Sequence, residues 1–126
     1  MVECNELAKE IFASDIQIAH LGILDLEGNV LLDQSASSSS PMDVDAERLD
    51  YYHQLGARRI ARAQFDQFYG KTDYVHIVRQ NIQQLIIYLP TFTIYMTLEK
   101  STTADETKKI TQKVKLLNSE LMKSGI

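Results

Sequence analysis

An almost unbroken apolar stretch at residues 16–24 constrains the fold more than any other feature of this chain, and only Gln17 and His20 interrupt it. Alternate side chains of a strand point to opposite faces of a sheet, so a strand that is apolar throughout is typical of a sheet covered on both faces. A tight connection follows, in which Gly28 and Asn29 can adopt positive φ, and residues 30–34 return as a second strand. The pattern predicts a β-hairpin that contains a central strand.

Helical periodicity predicts one helix before this hairpin and a longer one after it. The first helix is short, with apolar residues at helical spacing within residues 2–12. At the start of the second, Ser40, Pro41 and Asp43 match an N-cap, a first-turn proline and an early acidic residue. Gly70 is expected to end this second helix.

One side of the second helix is predicted to face the sheet. Small residues at Gly56 and Ala63 would let the helix lie close to it. The opposite side carries Tyr51, Leu55 and Phe65, which is more apolar surface than a solvated face needs. The stripe predicted to face the sheet comprises Met42, Ala46, Leu49, Gly56, Ile60 and Ala63.

Three more strands are predicted at residues 74–79, 84–89 and 93–99. Thr103 and Glu106 then match a capping box that begins a closing helix. Short links between consecutive strands make the sheet antiparallel, and the apolar first strand requires helices on both faces. We therefore expect an α+β fold with a five-stranded antiparallel sheet and the element order α-β-β-α-β-β-β-α.

Length and charge exclude several classes of protein. The chain suits a single domain spanning residues 1–126, and its net charge of -4 gives no general attraction for nucleic acid or anionic lipid. No apolar stretch approaches the roughly 20 residues of a membrane span, and Cys4 alone cannot form an internal disulfide. Charged residues interrupt the N-terminal segment where a signal peptide would be apolar, so we expect a cytoplasmic protein.

No constellation in the sequence predicts catalysis. Residues 70–72 imitate the end of a phosphate-binding loop, but Phe65 stands where the leading glycine belongs, and the segment runs from helix into strand instead of strand into helix. The three histidines lack the spacing of a metal site, and His20 is expected to find one hydrogen-bond partner in its strand. Cys4 has no basic neighbour that would stabilise a thiolate. We expect no enzyme activity, no metal and no cofactor.

Basic residues near the end of the second helix and along the third strand form a candidate anion site. Arginine suits bidentate contact with phosphate or carboxylate, and aromatic residues are interleaved among these charges. The alternative is a solvated surface on which the same charges pair with Asp66, Asp73 and their neighbours. The candidate residues are Arg58, Arg59, Arg62, Lys71, His76 and Arg79.

The order of elements, together with Asp25, Gly28 and Val30 in the hairpin, resembles the roadblock/dynein-light-chain family, whose fold is profilin-like. The resemblance implies a non-catalytic domain that commonly forms dimers through the second helix and the third strand, and that often scaffolds or regulates small GTPases. In sequence the chain more closely resembles a small uncharacterised family of ammonia-oxidising archaea. The likeness depends on the Gly28 hairpin, the arginine-containing residues 52–62, Phe65, Asp66, Gly70, Lys71, Tyr74 and Arg79. That family has no assigned activity, and the serine-rich residues 35–40 depart from both groups.

Two functions are therefore predicted. The first is a non-catalytic interaction or regulatory domain that forms a homodimer and has a protein partner such as a small GTPase, but no nucleic acid or membrane partner. The second is a sensor domain of the PAS or profilin-like kind, which binds a small anion or nucleotide at the basic residues. The residues predicted for the dimer interface are Tyr51, Leu55, Phe65, Tyr74 and Val78.

Overall fold

The computed structural model describes residues 3–14, 17–37 and 45–124. Its five strands form one antiparallel sheet in the order β2-β1-β5-β4-β3, which confirms the predicted fold class and places β2 and β3 at the two edges. The elements are α1 (Cys4–Ser14), β1 (Ile18–Leu24), β2 (Val30–Ser35), α2 (Ala46–Ala63), α3 (Asp66–Tyr69), β3 (Tyr74–Val78), β4 (Gln83–Tyr88), β5 (Thr93–Leu98) and α4 (Ala104–Ser124).

The β1–β2 hairpin closes around the carboxylate of Asp25. Its Oδ1 accepts hydrogen bonds from the backbone N–H groups of Glu27 and Asn29, both at 2.9 Å. Gly28 has a φ of 92°, as predicted, whereas no non-glycine residue in the described ranges, Asn29 included, has a positive φ. The side chain of Asp25 therefore shapes a turn in which glycine supplies the left-handed conformation.

Helices cover both faces of the sheet, as the apolar β1 predicts. The helices α1 and α4 share one core with the sheet, which includes Leu7, Ile11, Leu21, Ile23 and Val114. A smaller core lies under α2 and contains Leu24, Tyr52, Leu55, Ile86 and Tyr95.

The helix ends are set by side-chain caps and by one break. The capping box that begins α4 is confirmed, because Thr103 Oγ1 accepts from the Glu106 N–H at 3.1 Å and Glu106 Oε1 accepts from the Thr103 N–H at 2.9 Å. Asp45 is the N-cap of α2, while the predicted cap at residues 40–43 lies outside the described residues. The second helix was expected to continue to Gly70, but α2 ends at Ala63 and Gly70 ends the short α3 instead.

The predicted orientation of α2 was wrong. Leu49 and Ile60, expected on the sheet, are 39% and 55% exposed, whereas Leu55, expected outside, is buried at 3%. The physical reason is that the buried side of α2 includes polar residues, which a count of apolar residues overlooks. Tyr52 is fully buried and Arg59 is half-buried there, and both find polar partners on the sheet.

Two glycines bring α2 close to the hairpin. A Cβ atom on Gly56 would collide with the backbone oxygen of Glu27 and lie 2.5 Å from the N atom of Gly28. A Cβ atom on Gly28 would lie 2.5 Å from the backbone oxygen of Tyr52. The close approach predicted from Gly56 is thus observed, although the helix meets the β1–β2 turn there instead of the face of the sheet.

We expect Gly56→Ala to destabilise the protein by about 1–3 kcal/mol, because the added methyl group meets backbone atoms that cannot move aside independently. Helix propensity alone would give the opposite sign, a stabilisation of about 1 kcal/mol. Urea denaturation of both proteins measures the difference. The control is Ala57→Gly. Ala57 is exposed next to Gly56, so this substitution changes the helix propensity without affecting the close contact between α2 and the hairpin. A Gly56→Ala protein more stable than wild type would contradict the close approach.

Candidate functional site

The predicted basic residues do not form one surface. Arg59 is turned inward, where Nη2 donates to the backbone oxygen of Leu89 at 2.6 Å and Nη1 donates to that of Phe92 at 2.8 Å. Its guanidinium also lies 4.7 Å from the centroid of the Tyr88 ring, within reach of a cation–π interaction. Arg59 therefore fastens α2 to the β4–β5 turn, and burial lowers its pKa.

Two other arginines also contact the sheet on the α2 side. Arg62 Nη1 donates to the hydroxyl of Tyr88 at 2.8 Å, and Arg79 Nε donates to Oε1 of Gln84. Arg58, by contrast, is exposed on α2. These contacts leave less of the predicted arginine charge free for a ligand than its spacing in the sequence suggests.

His76 lies on the opposite face of the sheet from these arginines. Val75 and Ile77 contact the core under α2, and Tyr74 contacts the core shared by α1 and α4. Because strand residues alternate, His76 faces the α1 and α4 side, where its Nε2 lies 2.6 Å from Oε1 of Gln83. The structure thus separates His76 from Arg58, Arg59, Arg62 and Arg79.

The residues predicted for a dimer interface occupy three different environments. Phe65 and Val78 are 55% and 70% exposed. Tyr51 is half-buried, its ring meets that of Tyr95 edge to face at 5.5 Å, and its buried hydroxyl has no hydrogen-bond partner among the described residues. Tyr74 is partly buried, and Leu55 belongs to the core under α2, which corrects the expectation that it faces outward.

The edge strand β3 has backbone groups that its neighbour β4 does not use. The N–H of Tyr88 donates to the oxygen of Asp73, and the N–H of Arg79 donates to the oxygen of Ile82, so odd-numbered residues of β3 bond to β4. The alternate residues therefore direct their N–H and C=O groups toward the free edge. These residues are Tyr74, His76 and Val78.

A buried carboxylate that the sequence analysis did not single out lies between β2 and α2. Asp33 is 1% exposed, and its Oδ1 accepts from the hydroxyl of Tyr52 at 2.5 Å. Nε2 of His20 lies 2.6 Å from the same oxygen, and Nη1 of Arg48 donates to Oδ2 at 2.9 Å. A carboxylate can only accept, so His20 carries its hydrogen on Nε2.

Gly22 makes room for this cluster. It pairs with Asp33 across β1 and β2, and a Cβ atom on it would lie 2.6 Å from the hydroxyl oxygen of Tyr52. Tyr52 therefore crosses β1 to reach the carboxylate. In the sequence, the feature that could have indicated this cluster is Asp33, a lone acidic residue in an apolar strand. Its three partners lie 13 to 19 positions away along the chain. His20 meets the expectation of a hydrogen-bond partner in the sheet.

The chemistry of the cluster is that of a structural clamp. Burial raises the pKa of Tyr52, and the hydrogen bond to Asp33 raises it further, so the phenol stays protonated and acts as a donor. The positive charge of Arg48 compensates the buried carboxylate.

Cys4 lies outside this cluster, on α1. Burial, with a smaller contribution from Glu3, raises the pKa of Cys4, which disfavours the reactive thiolate.

A cleft of about 840 Å³ opens at one end of the sheet. Its walls are the end of α2, the segment before β3, the β4–β5 turn and α4. Arg59 and Lys71 are the members of the predicted anion site that line it, and Asp66 and Asp73 line it as well. Lys115 forms an ion pair with Asp73, so the charge of the cleft is mixed.

The described residues provide neither a metal-binding group nor a membrane-spanning helix. Histidine, cysteine and acidic side chains in those ranges nowhere gather in a group of three that could hold a metal ion. Within the same ranges, no helix combines the length and apolar character needed to cross a membrane.

We expect Tyr52→Phe to destabilise the protein by about 1–3 kcal/mol at pH 8, because the buried carboxylate of Asp33 loses a donor. Unfolded tyrosine titrates near pH 10, whereas folded Tyr52 keeps its proton. Above pH 10 the unfolded state therefore binds fewer protons, and wild type loses about 1.4 kcal/mol of stability per pH unit through this group.

The stability difference between wild type and Tyr52→Phe should accordingly shrink by about 1.4 kcal/mol between pH 8 and pH 11. Urea denaturation at both pH values measures it. Tyr95, whose pKa burial also raises, is present in both proteins and cancels in the comparison. A gap that stays constant would show that Tyr52 does not act as a buried neutral donor.

Comparison with known proteins supports the fold and not a sequence family. No protein-family model matches the chain, and no curated protein matches it. Among solved structures, MglB of Myxococcus xanthus is 8% identical with a TM-score of 0.67, over 96% of this chain and 92% of MglB. A Roadblock/LC7 domain from Streptomyces avermitilis is 13% identical with a TM-score of 0.61, over 94% and 97%.

Profilin II of Acanthamoeba castellanii is similar as well, with 10% identity, a TM-score of 0.59 and coverage of 97% of this chain and 98% of the profilin. Identities this low are informative about the fold alone. The chain has the roadblock/MglB fold, which is similar to that of profilin: a five-stranded antiparallel sheet with helices on both faces.

Proposed function

We propose that this protein is a non-catalytic interaction or regulatory domain that forms a homodimer through α2 and β3. The observation that carries the proposal is the free edge of β3, where Tyr74, His76 and Val78 direct backbone groups outward. A second copy of the same strand, related by a twofold axis, would pair with these groups. The two five-stranded sheets would then join into one ten-stranded sheet.

The side of α2 that faces β3 supports the same contact. Tyr51 lies there half-buried, and its hydroxyl has no hydrogen-bond partner in the part of the chain that the structure describes. Val75 and Ile77 of β3 are also only half-buried. Phe65, which follows the end of α2, is a further exposed apolar side chain. A second copy would bury these side chains, which water now reaches.

The charges of α2 suit an antiparallel pair of helices. Glu47 and Asp50 lie in its N-terminal half, and Arg58 and Arg62 lie in its C-terminal half. A twofold axis near residue 54 would set the acidic half of one helix opposite the arginines of the other.

Assembly has a precedent in this fold, since one MglB structure has a tetrameric arrangement. By the resemblance to roadblock proteins, the proposal includes a protein partner such as a small GTPase. A cytoplasmic location and an archaeal lineage are parts of the same proposal. Recovery of a GTPase with the tagged protein from its native cells, lost in a monomeric variant, would test the partner.

We expect wild type to be a dimer in sedimentation equilibrium and Val78→Pro to be a monomer. Proline removes the outward N–H of Val78 and adds a ring at the free edge, while the hydrogen bonds to β4 stay intact. The matched control is Val78→Thr, which keeps the N–H and a β-branched side chain and should stay dimeric. Circular dichroism checks that both variants fold. A wild-type monomer at high micromolar concentration would disprove the proposed homodimer.

Charge reversal tests the antiparallel register. Asp50→Arg and Arg58→Asp, each alone, place like charges opposite each other and should weaken the dimer about tenfold. The double variant restores opposite charges and should return the dissociation constant close to that of wild type. Sedimentation at low salt measures all four proteins. A double variant weaker than either single one would rule out this register.

The alternative function is a sensor that binds a small anion or nucleotide. The cleft favours it, but with a different set of residues from the predicted one, because Arg58, Arg62, His76 and Arg79 do not line it. A thermal-shift screen of nucleotides and phosphorylated metabolites tests this function. A screen in which no compound raises the melting temperature would count against it.

A further inference from the structure

The cleft at the end of the sheet contains a buried amide whose hydrogen bonds are incomplete. Asn118 of α4 lines the cleft and is only 3% exposed. Its Oδ1 is buried and has no hydrogen-bond partner within residues 3–14, 17–37 and 45–124. Its Nδ2 has one contact, the thioether sulfur of Met122 at 3.6 Å, and sulfur is a weak acceptor.

Other buried polar residues of α4 are satisfied within the helix. The hydroxyl of Thr111 donates to the backbone oxygen of Thr107 at 3.0 Å, and that of Thr107 donates to the backbone oxygen of Thr103 at 3.0 Å. Asn118 has no such arrangement. A buried amide left without partners reduces stability, and leucine of similar size would fill the position without that penalty. The position is therefore better explained by a partner that approaches from the cleft.

Met122 is the side chain that contacts this amide. It lines the same cleft, is 45% exposed and lies near the end of α4. Methionine is unbranched and rotates easily, so its side chain can swing away from Asn118 at low cost. The amide would then present a donor and an acceptor side by side to the cleft.

An adjacent donor and acceptor is the edge that an asparagine amide recognises on adenine, where an amino group lies beside a ring nitrogen. Leu89, Pro90 and Ala63 offer apolar contact for a flat ring. The cleft volume of about 840 Å³ lies within the range typical of small-molecule sites.

The charges around the cleft favour an anionic group on the ligand. Lys71 is exposed at the cleft. Of the acidic side chains there, Asp73 pairs with Lys115, and the negative charge of Asp66 acts on Arg59. The three basic side chains that line the cleft, Arg59, Lys71 and Lys115, outnumber the two acidic ones, so the charge of the cleft favours a phosphate near Lys71.

We propose that this cleft binds an adenine nucleotide, with Asn118 contacting the edge of the base and Lys71 contacting the phosphate. The proposal develops the alternative sensor function and does not depend on the homodimer. Calorimetry tests it, whereas sedimentation tests the dimer, so either can fail without the other.

Isothermal titration of the full chain with AMP, adenosine and inorganic phosphate provides the test. AMP should bind, adenosine should bind about tenfold more weakly, and phosphate alone should give no measurable heat. Asn118→Leu should abolish AMP binding. Lys71→Met should weaken AMP binding about tenfold and leave adenosine binding unchanged. Lys123→Met removes a charge from the same end of α4 but away from the cleft, and should bind AMP like wild type.

A stability measurement keeps the test decisive. Asn118→Leu removes the unpaired amide. Without AMP, the melting temperature of this variant should therefore be the same as that of wild type or about 2–5 °C higher. If that variant does not fold, Asn118→Asp serves instead, because it loses the donor and places a negative charge at the base edge. A wild-type protein that gives no heat with millimolar AMP would overturn the proposal. The proposal would also be overturned if the Asn118 variant bound AMP with the affinity of wild type, or if a crystal grown with AMP showed a single water as the only partner of Oδ1.

Discussion

The hydrogen bond from Tyr52 to the buried carboxylate of Asp33 fixes where α2 lies on the sheet. A buried carboxylate is tolerated only when charge and hydrogen bonds compensate for its lost hydration, and Arg48, His20 and Tyr52 together supply both. Two of these donors come from α2, so the helix cannot rotate or slide without leaving the charge uncompensated. The clamp thus gives α2 one orientation where apolar packing alone would allow several.

The orientation of α2 in turn determines which surfaces the domain offers. With Tyr52 turned toward β1, Leu55 enters the core, and the side that carries Tyr51 is left beside β3. Arg59 then reaches the β4–β5 turn and closes one wall of the cleft. The surface proposed for self-association and the cleft proposed for a nucleotide are therefore separate results of a single helix placement.

Local signals carried most of what the sequence predicted correctly. The element order and the antiparallel sheet could be predicted because they depend on residues a few positions apart. These local features are the strand and helix patterns, the glycine of the hairpin and the capping box at Thr103. The rotation of α2 could not, because Tyr52 and Arg59 are buried only through partners far along the chain. The positions of the predicted basic residues could not be read from the sequence for the same reason, since their proximity along the chain did not show that Arg59 is turned inward or that His76 faces the other side of the sheet.

The pairs of contacts at the α2–hairpin junction also limit how this sequence can drift. Gly22 can gain a side chain only if Tyr52 becomes smaller, and a smaller residue at that position would leave Asp33 without its shortest hydrogen bond. Gly28 and Gly56 are in backbone contact, so enlarging either one pushes the helix away from the turn. In related chains these positions should change in concert, and their correlated substitution would mark membership of this lineage at identities too low for ordinary alignment to detect.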